Sequence, residues 1–194
     1  MSISLVLGGA RSGKSAFAEQ LAAAYAAAPV AAASGATHCQ VVYLATATSG
    51  DAEMAQRIAH HRSRRPADWR TVEAPLALAD ALTAHAAPGT CVLVDCLTLW
   101  LSNLLFQQRH DYPDTGPVDP GPQFAAQCDA LLKVLPTLPG QIVLVSNEIG
   151  FGVTPMGAVS RFFVDEAGRI NQRVAALAQQ VHLIVAGCPV AVKG

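Results

Sequence analysis

The octapeptide GGARSGKS, at residues 8–15, limits the fold of this chain more than any other segment does. It fits the pattern G-x-x-x-x-G-K-[ST], follows the apolar run ISLVL and opens the helical stretch SAFAEQLAAAYAAA. In such a unit the backbone N–H groups and the helix N-terminus bind phosphate, the lysine reaches the β- and γ-phosphates, and the final hydroxyl contacts Mg²⁺. The pattern predicts a nucleoside triphosphate site with Lys14 as a catalytic residue and Ser15 at the metal. The phosphate-binding residues would be Gly8, Gly9, Ala10, Arg11, Ser12, Gly13, Lys14 and Ser15.

Short apolar runs alternate with alanine- and leucine-rich stretches of helical length along the whole chain. The runs are continuously apolar, as in strands buried on both faces of a parallel sheet: ISLVL (3–7), VVYLA (41–45), CVLVD (91–95), IVLVS (142–146) and VHLIVA (181–186). Segments 29–40 and 110–122 are rich in proline, glycine or small residues and are predicted to be loops. The sequence therefore predicts a single α/β domain over residues 1–194, P-loop NTPase-like, with a central, mostly parallel sheet flanked by helices.

Composition excludes several classes of protein. Hydrophobic residues make up 52% of the 194 residues, but much of that is alanine, and no segment is predicted to span a membrane. The first residues lack the basic leader of a secretory signal, so we expect a cytoplasmic protein. A formal net charge of −1 argues against a general role at nucleic acids or membrane surfaces. The five cysteines are scattered and are expected to be reduced and mostly buried.

Two predicted strands end in carboxylates. The run CVLVD ends on Asp95, and IVLVS is followed by Asn147 and Glu148. Ligands of parallel α/β sheets bind at the carboxyl ends of the strands, so Asp95 is predicted to contact the nucleotide or its metal. For Glu148 a helix cap or a surface position is an equally good interpretation.

The stretch RIAHHRSRRPADWR, at residues 57–70, puts two histidines in front of an arginine cluster. It is predicted to end a helix that begins near Ser49 and stops before Pro66. With Met54 at zero on the helical wheel, Ile58, His61 and Arg65 fall within about 60° of one another, so His61 points toward the protein body. A neutral imidazole beside guanidinium groups suits a nucleophile that attacks a bound phosphate. A histidine packed at a helix end, with its arginines in solvent, would produce the same pattern.

Five segments, in order, resemble one enzyme family. They are GGARSGKS, YLATA…DAEMAQRIAHHRSRRPADWRTVE, VLVDCLTLWLSNLLF, VLVSNEIGFGVTP and RFFVDEAGRINQRVA. Together they are similar to the bifunctional adenosylcobinamide kinase / adenosylcobinamide-phosphate guanylyltransferase family of cobalamin biosynthesis. The resemblance covers nearly the whole chain, apart from residues 26–40 and 110–122.

The resemblance implies two successive reactions. ATP or GTP, with Mg²⁺, first phosphorylates the aminopropanol arm of adenosylcobinamide. GMP then passes from GTP to the product through a GMP–histidine intermediate, with His61 as the nucleophile. A homotrimer is also implied. The resemblance further implies that the nucleotide is contacted by Ala45, Thr46, Ala47, Arg62, Ser63, Arg64, Arg65, Glu73 and Asp95, the last being shorter than the glutamate of some relatives.

Three alternatives remain at this stage. A monofunctional P-loop metabolite kinase would need the phosphate loop and Asp95 but no nucleophilic histidine. A GTP-binding switch or assembly protein would use nucleotide for binding alone, although the sequence lacks an N-K-x-D guanine motif. A guanylyltransferase without kinase activity would use the loop only to bind GTP. In any of the transferases, the segments at 46–52 and 110–122 are candidates to close over a bulky substrate.

Overall fold

A computed structural model describes residues 2–28, 39–47, 66–107 and 111–194. Seven strands form one sheet in the order β3-β2-β4-β5-β1-β6-β7. The strands are β1 (Ser2–Gly8), β2 (Gln40–Ala45), β3 (Arg70–Glu73), β4 (Thr90–Asp95), β5 (Gln141–Asn147), β6 (Gln180–Val185) and β7 (Cys188–Lys193). The first six are mutually parallel, and only β7 pairs antiparallel, with β6. The predicted α/β fold with a mostly parallel sheet is therefore confirmed.

The helices among the described residues are distributed unevenly over the two faces of the sheet. They are α1 (Lys14–Ala27), α2 (Leu78–His85), α3 (Leu97–Phe106), α4 (Pro122–Val134) and α5 (Ala158–Leu177). Of these, α1 alone packs on one face, against the cluster that contains Val6, Tyr43 and Leu93. The other four bury the opposite face, around Trp100. No helix among the described residues is both long and apolar enough to cross a membrane.

Two edge strands differ from the sequence prediction. The five predicted strands are all present, but β3 and β7 were not predicted. β3 is only four residues long, and Val72 is its one apolar residue. Every residue of β7 is exposed. Neither strand is the continuous apolar run that a strand buried on both faces requires. The predicted loops were slightly too long, because Gln40 begins β2 and Pro122 begins α4, while the helix predicted near 49–65 lies outside the described residues.

One core tryptophan has a hydrogen-bond partner for its polar atom. The Trp100 side chain is fully buried, and its indole Nε1 donates to the Leu76 carbonyl over 2.8 Å. A buried indole needs such a partner, because an unpaired polar group in an apolar core costs free energy. Trp100 is therefore a core aromatic, and Trp69 packs half-buried against the α1 side of the sheet.

The thiols separate into two groups. Cys91, Cys96 and Cys128 are buried, Cys39 is half-buried and Cys188 is exposed, all five without a disulfide. Burial is the main cause that raises the pKa of Cys91 and Cys128 to about 12 and that of Cys96 to about 11. These three thiols therefore stay protonated at pH values where an ordinary thiol ionises.

We expect iodoacetamide at pH 8 to alkylate only Cys39 and Cys188 in the folded protein. The reagent attacks thiolates, and a raised pKa together with burial leaves the other three thiols without reactive thiolate. Raising the pH from 7 to 9 should leave the three buried thiols, Cys91, Cys96 and Cys128, unmodified. Mass spectrometry of tryptic peptides measures this, with guanidinium-unfolded protein as the control in which all five react. Fast modification of Cys91 in the folded protein would contradict the assignment.

Candidate active site

The phosphate loop connects the end of β1 to the start of α1, as the motif predicts. Gly8 is the last residue of β1 and Lys14 the first of α1. Between them the chain turns back on itself, with Ser12 N donating to the Gly9 carbonyl over 3.3 Å and Gly13 at φ 96°. The first turn of a helix leaves backbone N–H groups without partners inside the helix. Their partial positive charge, at the start of α1, attracts a phosphate to this loop.

Lys14 lies over the same loop. Its Nζ donates to the Gly9 carbonyl over 3.2 Å. Ser15 follows in the first turn of α1 and is half-buried. The two side chains that the motif assigns to phosphate and metal therefore stand next to each other at one helix end.

A hairpin turn supports the phosphate loop from the far side. Ala186 and Gly187 connect β6 to β7 with φ values of 50° and 82°, and Gly187 N donates to the Ser12 carbonyl over 2.8 Å. A Cβ on Gly13 would lie 3.2 Å from the Gly187 Cα. Glycine is thus required at residue 13 by its backbone conformation and by this close approach.

Gly8 and Gly9 differ in the space around them, which gives a matched test of the loop. A Cβ on Gly8 would collide with Ser12 Oγ and lie 2.9 Å from the Ile184 carbonyl, whereas a Cβ on Gly9 meets nothing within 4 Å. We expect Gly8→Ala to weaken Mg·ATP binding by about tenfold or more, because Ser12 must move, and Gly9→Ala to stay within about threefold. Isothermal titration calorimetry measures both constants. Equal losses would show that the loop does not depend on this packing.

Three strand ends form a row beside the phosphate loop. In the sheet, Ala45 of β2 is paired with Glu73 of β3 on one side and with Asp95 of β4 on the other. Side chains alternate along a strand, and Tyr43 and Leu93 pack on the α1 side, so Asp95 lies on that side as well. Val72 packs on the opposite side, which puts Glu73 with Asp95. Both carboxylates therefore occupy the carboxyl edge on the face that carries α1.

Strand spacing orders these groups relative to the phosphates. Only β5 separates β4 from β1, so Asp95 lies about 10 Å along the edge from the strand that carries the phosphate loop, and Glu73 about 19 Å from it. Asp95 is thus between the loop and Glu73.

Tyr43 holds the Asp95 carboxylate. Its hydroxyl, on a buried side chain, donates to Asp95 Oδ2 over 2.8 Å. The pKa of the neighbouring thiol, Cys96, is raised to about 11, first by burial and then by the Asp95 carboxylate. The Lys14 ammonium acts to lower the same pKa. The Asp95 carboxylate and the Lys14 ammonium therefore share one electrostatic environment.

Thr46 is engaged within the protein. It is fully buried, and its hydroxyl donates to the Cys96 carbonyl and accepts from Cys96 N, both over 2.8 Å. Its N–H donates to the Asp95 carbonyl, and its own carbonyl accepts from Asn103 Nδ2 over 2.7 Å. Each polar group of Thr46 thus has a partner in the protein, and its effect is to fasten the end of β2 to that of β4. Ala45 and Ala47, on either side, are half-buried.

The end of β5 is fixed in a similar way. Thr98 Oγ1 accepts from Asn147 N over 2.8 Å and from Asn147 Nδ2 over 3.0 Å. The Asn147 carbonyl accepts from Asn171 Nδ2 on α5 over 3.2 Å. The Glu148 carboxylate turns into its own loop, where Oε1 accepts from Gly150 N over 2.8 Å. Of the two interpretations of Glu148, this geometry matches a local capping position.

The sequence profile of one family matches residues 4–192. The family is described as cobinamide kinase / cobinamide phosphate guanyltransferase. The chain belongs to this family.

Relatives of known function match over nearly their full lengths. The bifunctional adenosylcobalamin biosynthesis protein CobP of Pseudomonas aeruginosa is 50% identical over 190 residues, which is 98% of this chain and 96% of that protein. The bifunctional adenosylcobalamin biosynthesis proteins CobU of Salmonella typhimurium and Escherichia coli are 41% and 40% identical, each over 97% of this chain and 98% of the relative. The predicted membership in the kinase/guanyltransferase family is therefore confirmed.

A solved structure supports the fold. An ATPase from the type III secretion system of pathogenic bacteria superposes with a TM-score of 0.52 at 12% sequence identity. The match covers 94% of this chain, which spans about half the length of that ATPase. At this identity the likeness shows the fold alone. That fold is the predicted P-loop NTPase-like architecture.

The structure brings together part of the predicted site. The phosphate loop, Ala45, Ala47, Glu73 and Asp95 lie along one carboxyl edge. His61 and the predicted nucleotide contacts Arg62, Ser63, Arg64 and Arg65 lie outside the described residues. Sequence reasoning missed Tyr43, although its position two residues before Ala45 puts it on the same face as Asp95. It also missed Asn103 and Gly187, for which no pattern in the sequence gives a signal.

Proposed function

We propose that this kinase/guanyltransferase catalyses two successive transfers on adenosylcobinamide. In the first, the hydroxyl oxygen of the aminopropanol arm attacks the γ-phosphorus of ATP or GTP, the bond to the β,γ-bridging oxygen breaks, and nucleoside diphosphate leaves. In the second, GMP is transferred from GTP to the phosphate just formed, which gives adenosylcobinamide-GDP and pyrophosphate. The observation that carries this proposal is the family match over residues 4–192, on a chain whose phosphate loop is intact.

The kinase step depends on the first turn of α1. Phosphoryl transfer needs placement and charge neutralisation more than covalent chemistry, so backbone N–H groups and a lysine are sufficient protein groups for it. The position of Lys14 Nζ above the loop, 3.2 Å from the Gly9 carbonyl, supports its role on the β- and γ-phosphates. Arg11, exposed at φ 56° within the loop, adds a second positive charge at its rim.

The side chains at this edge fit a magnesium ion bound with the nucleotide. Mg²⁺ prefers oxygen ligands and is held in such sites by one or two protein groups plus phosphates. Ser15 offers its hydroxyl oxygen to such an ion from the first turn of α1. When bound, the ion would neutralise charge on the β- and γ-phosphate oxygens.

We propose His61 as the nucleophile of the second transfer. An imidazole nitrogen attacks the α-phosphorus of GTP, the bond to the α,β-bridging oxygen breaks, and pyrophosphate leaves. An oxygen of the cobinamide phosphate then attacks the same phosphorus and releases the imidazole. The arginines at 62, 64 and 65 would bind the phosphates, and Glu73 and Asp95 would accept from guanine N–H groups. The common face of the two carboxylates supports this last assignment.

We also propose a homotrimer located in the cytoplasm. The resemblance to the family supports the trimer, and light scattering coupled to size-exclusion chromatography would measure its mass. Each protomer would then bind adenosylcobinamide together with ATP or GTP.

Product analysis tests the two reactions separately. Adenosylcobinamide is incubated with Mg²⁺ and ATP, then with added GTP, and the corrinoids are identified by mass spectrometry. We expect adenosylcobinamide phosphate in the first incubation and adenosylcobinamide-GDP in the second. A phosphate product that never receives GMP would identify a kinase alone. Conversion of supplied adenosylcobinamide phosphate, without phosphorylation of adenosylcobinamide, would identify a guanylyltransferase alone.

A further inference from the structure

We propose that residues 148–157, the apolar loop, form the surface on which the corrin macrocycle of the substrate binds, through Phe151, Val153 and Met156. The proposal rests on the proposed function, because it assumes a corrinoid acceptor. It adds the location of that acceptor, at the carboxyl end of β5 and toward the sheet face that α5 covers.

The three side chains are unusually exposed. Phe151 is 82% exposed, Val153 96% and Met156 91%, all within six residues of chain. Single exposed apolar side chains are normal on protein surfaces, but several in one place indicate a binding site. Among the described residues the remaining large apolar side chains with high exposure are Val185, Val190 and Val192, which belong to the C-terminal hairpin.

The apolar loop begins at the phosphate site. Glu148 N donates to the carbonyl of Gly8 over 3.1 Å, so the first residue of the apolar loop touches the first glycine of the phosphate loop. From there Phe151 is at most about 11 Å along the chain. A molecule bound on these side chains would therefore lie close to the first glycine of the phosphate loop.

Hydrogen bonds fix the apolar loop at both ends. Glu148 Oε1 accepts from Gly150 N near its start. Near its end the Arg161 guanidinium donates to the carbonyls of Pro155 and Met156, and Ala158 N donates to the Asp114 carbonyl over 3.0 Å. The backbone that carries the exposed side chains is thus fixed by hydrogen bonds, which lowers the entropy cost of binding a ligand there.

The position of the apolar loop separates it from the nucleotide. The row of Glu73, Ala45 and Asp95 lies on the α1 face, and in the proposed function the nucleotide lies along this row. The apolar loop runs instead from β5 to α5, which packs on the opposite face. A nucleotide bound along the row would leave the apolar loop uncovered, and the second substrate is the molecule that must still reach the γ-phosphate.

The chemistry of a corrinoid suits this surface. Its macrocycle is a large ring that carries methyl groups. Its amide side chains can form hydrogen bonds with backbone groups at Gly150 and Gly152, which are exposed. Val190 and Val192 lie on β7, a regular edge strand, which suits the pairing of another strand rather than a ring. The apolar loop is irregular and cannot extend the sheet.

Substitution of the exposed side chains tests the proposal. We compare wild type with the Phe151→Ser/Met156→Ser double variant, and with Val192→Ser as the control that loses an exposed apolar side chain elsewhere. Because all these side chains are at least 63% exposed, folding should be unaffected, as melting temperatures will check. We expect the double variant to raise the KM for adenosylcobinamide about tenfold or more, with kcat and the KM for ATP within about twofold. The control should leave all three constants unchanged.

Direct binding of adenosylcobinamide, followed by its visible absorbance, separates the two proposals. If wild type binds the corrinoid and the double variant does not, the apolar loop is its site, whether or not phosphate is transferred. If wild type binds and phosphorylates the corrinoid and the double variant does so with equal affinity, the apolar loop is not the site. A double variant with unchanged corrinoid affinity but an altered oligomeric mass would assign the apolar loop to a second copy of the chain and overturn the proposal.

Discussion

Replacement of Lys14 by alanine is expected to lower the rate of γ-phosphate transfer by about a thousandfold. In the proposed kinase step the Lys14 ammonium, in the first turn of α1, would reach the transferred phosphate, and loss of one preorganised donor at developing charge typically costs about 10²–10³ in rate. Radiometric transfer from γ-labelled ATP to adenosylcobinamide measures the effect. Lys14→Arg should not restore the rate, because a planar guanidinium does not replace a compact ammonium at this position.

The matched control is Lys133→Ala, which removes an exposed lysine from the last turn of α4. It should keep the wild-type rate. Because the bond that Lys14 Nζ makes among the described residues is to one exposed carbonyl, Lys14→Ala should melt within a few degrees of wild type. A Lys14→Ala enzyme that keeps more than a tenth of the wild-type rate would show that the lysine does not act on the phosphate.

Replacement of Gly140 by alanine is expected to cost about 3 kcal/mol or more of folding free energy. Gly140 stands just before β5 at φ 79°, and a Cβ there would lie 2.5 Å from the Thr90 carbonyl and closer still to that of Ala87. Both neighbours are backbone atoms, so the clash can be relieved only by moving the entry to β4 or β5. Chemical denaturation of both proteins measures the difference.

Gly89→Ala is the control for backbone conformation. Gly89 has nearly the same φ, 77°, but a Cβ there meets nothing within 4 Å. It should cost only about 1 kcal/mol, the usual penalty for a left-handed alanine. The additional loss of folding free energy in Gly140→Ala, compared with Gly89→Ala, is then the steric contribution. Equal costs at the two sites would mean that the contacts around Gly140 relax without penalty.

The central strands of the fold could be predicted because each is buried on both faces. Runs such as CVLVD and IVLVS must be continuously apolar when helices cover both sides of the sheet, and β4 and β5 are found where these runs lie. The edge strands follow other rules. β7 is exposed along its whole length, so no burial pattern marks it, and its existence depends on the turn at Ala186 and Gly187.

The phosphate loop could be predicted because its chemistry is local: glycines, a lysine and a serine at fixed spacing between a strand and a helix. The contacts that hold the rest of the edge are not local. Tyr43 reaches Asp95 across 52 positions of sequence, and Asn103 reaches Thr46 across 57. Such pairings are set by strand order, which the sequence pattern does not encode.

The burial of Thr46 changes how its predicted contact should be understood. The resemblance implies that Ala45, Thr46 and Ala47 contact the nucleotide as one segment. In the structure the polar groups of Thr46 bond to Asp95, Cys96 and Asn103 instead. The segment would then act on a nucleotide through the alanines beside it, while Thr46 keeps β2 and β4 in register.

The central claim is that one chain transfers both phosphate and GMP, the latter through His61. The most direct measurement is incubation with Mg²⁺ and GTP labelled at the α-phosphate, followed by denaturation and detection of label on the protein, for wild type, His60→Ala and His61→Ala. We predict label that is acid-labile and base-stable, present in wild type and His60→Ala and absent from His61→Ala. Wild-type protein that transfers GMP without ever retaining label, or label that survives His61→Ala, would contradict the account.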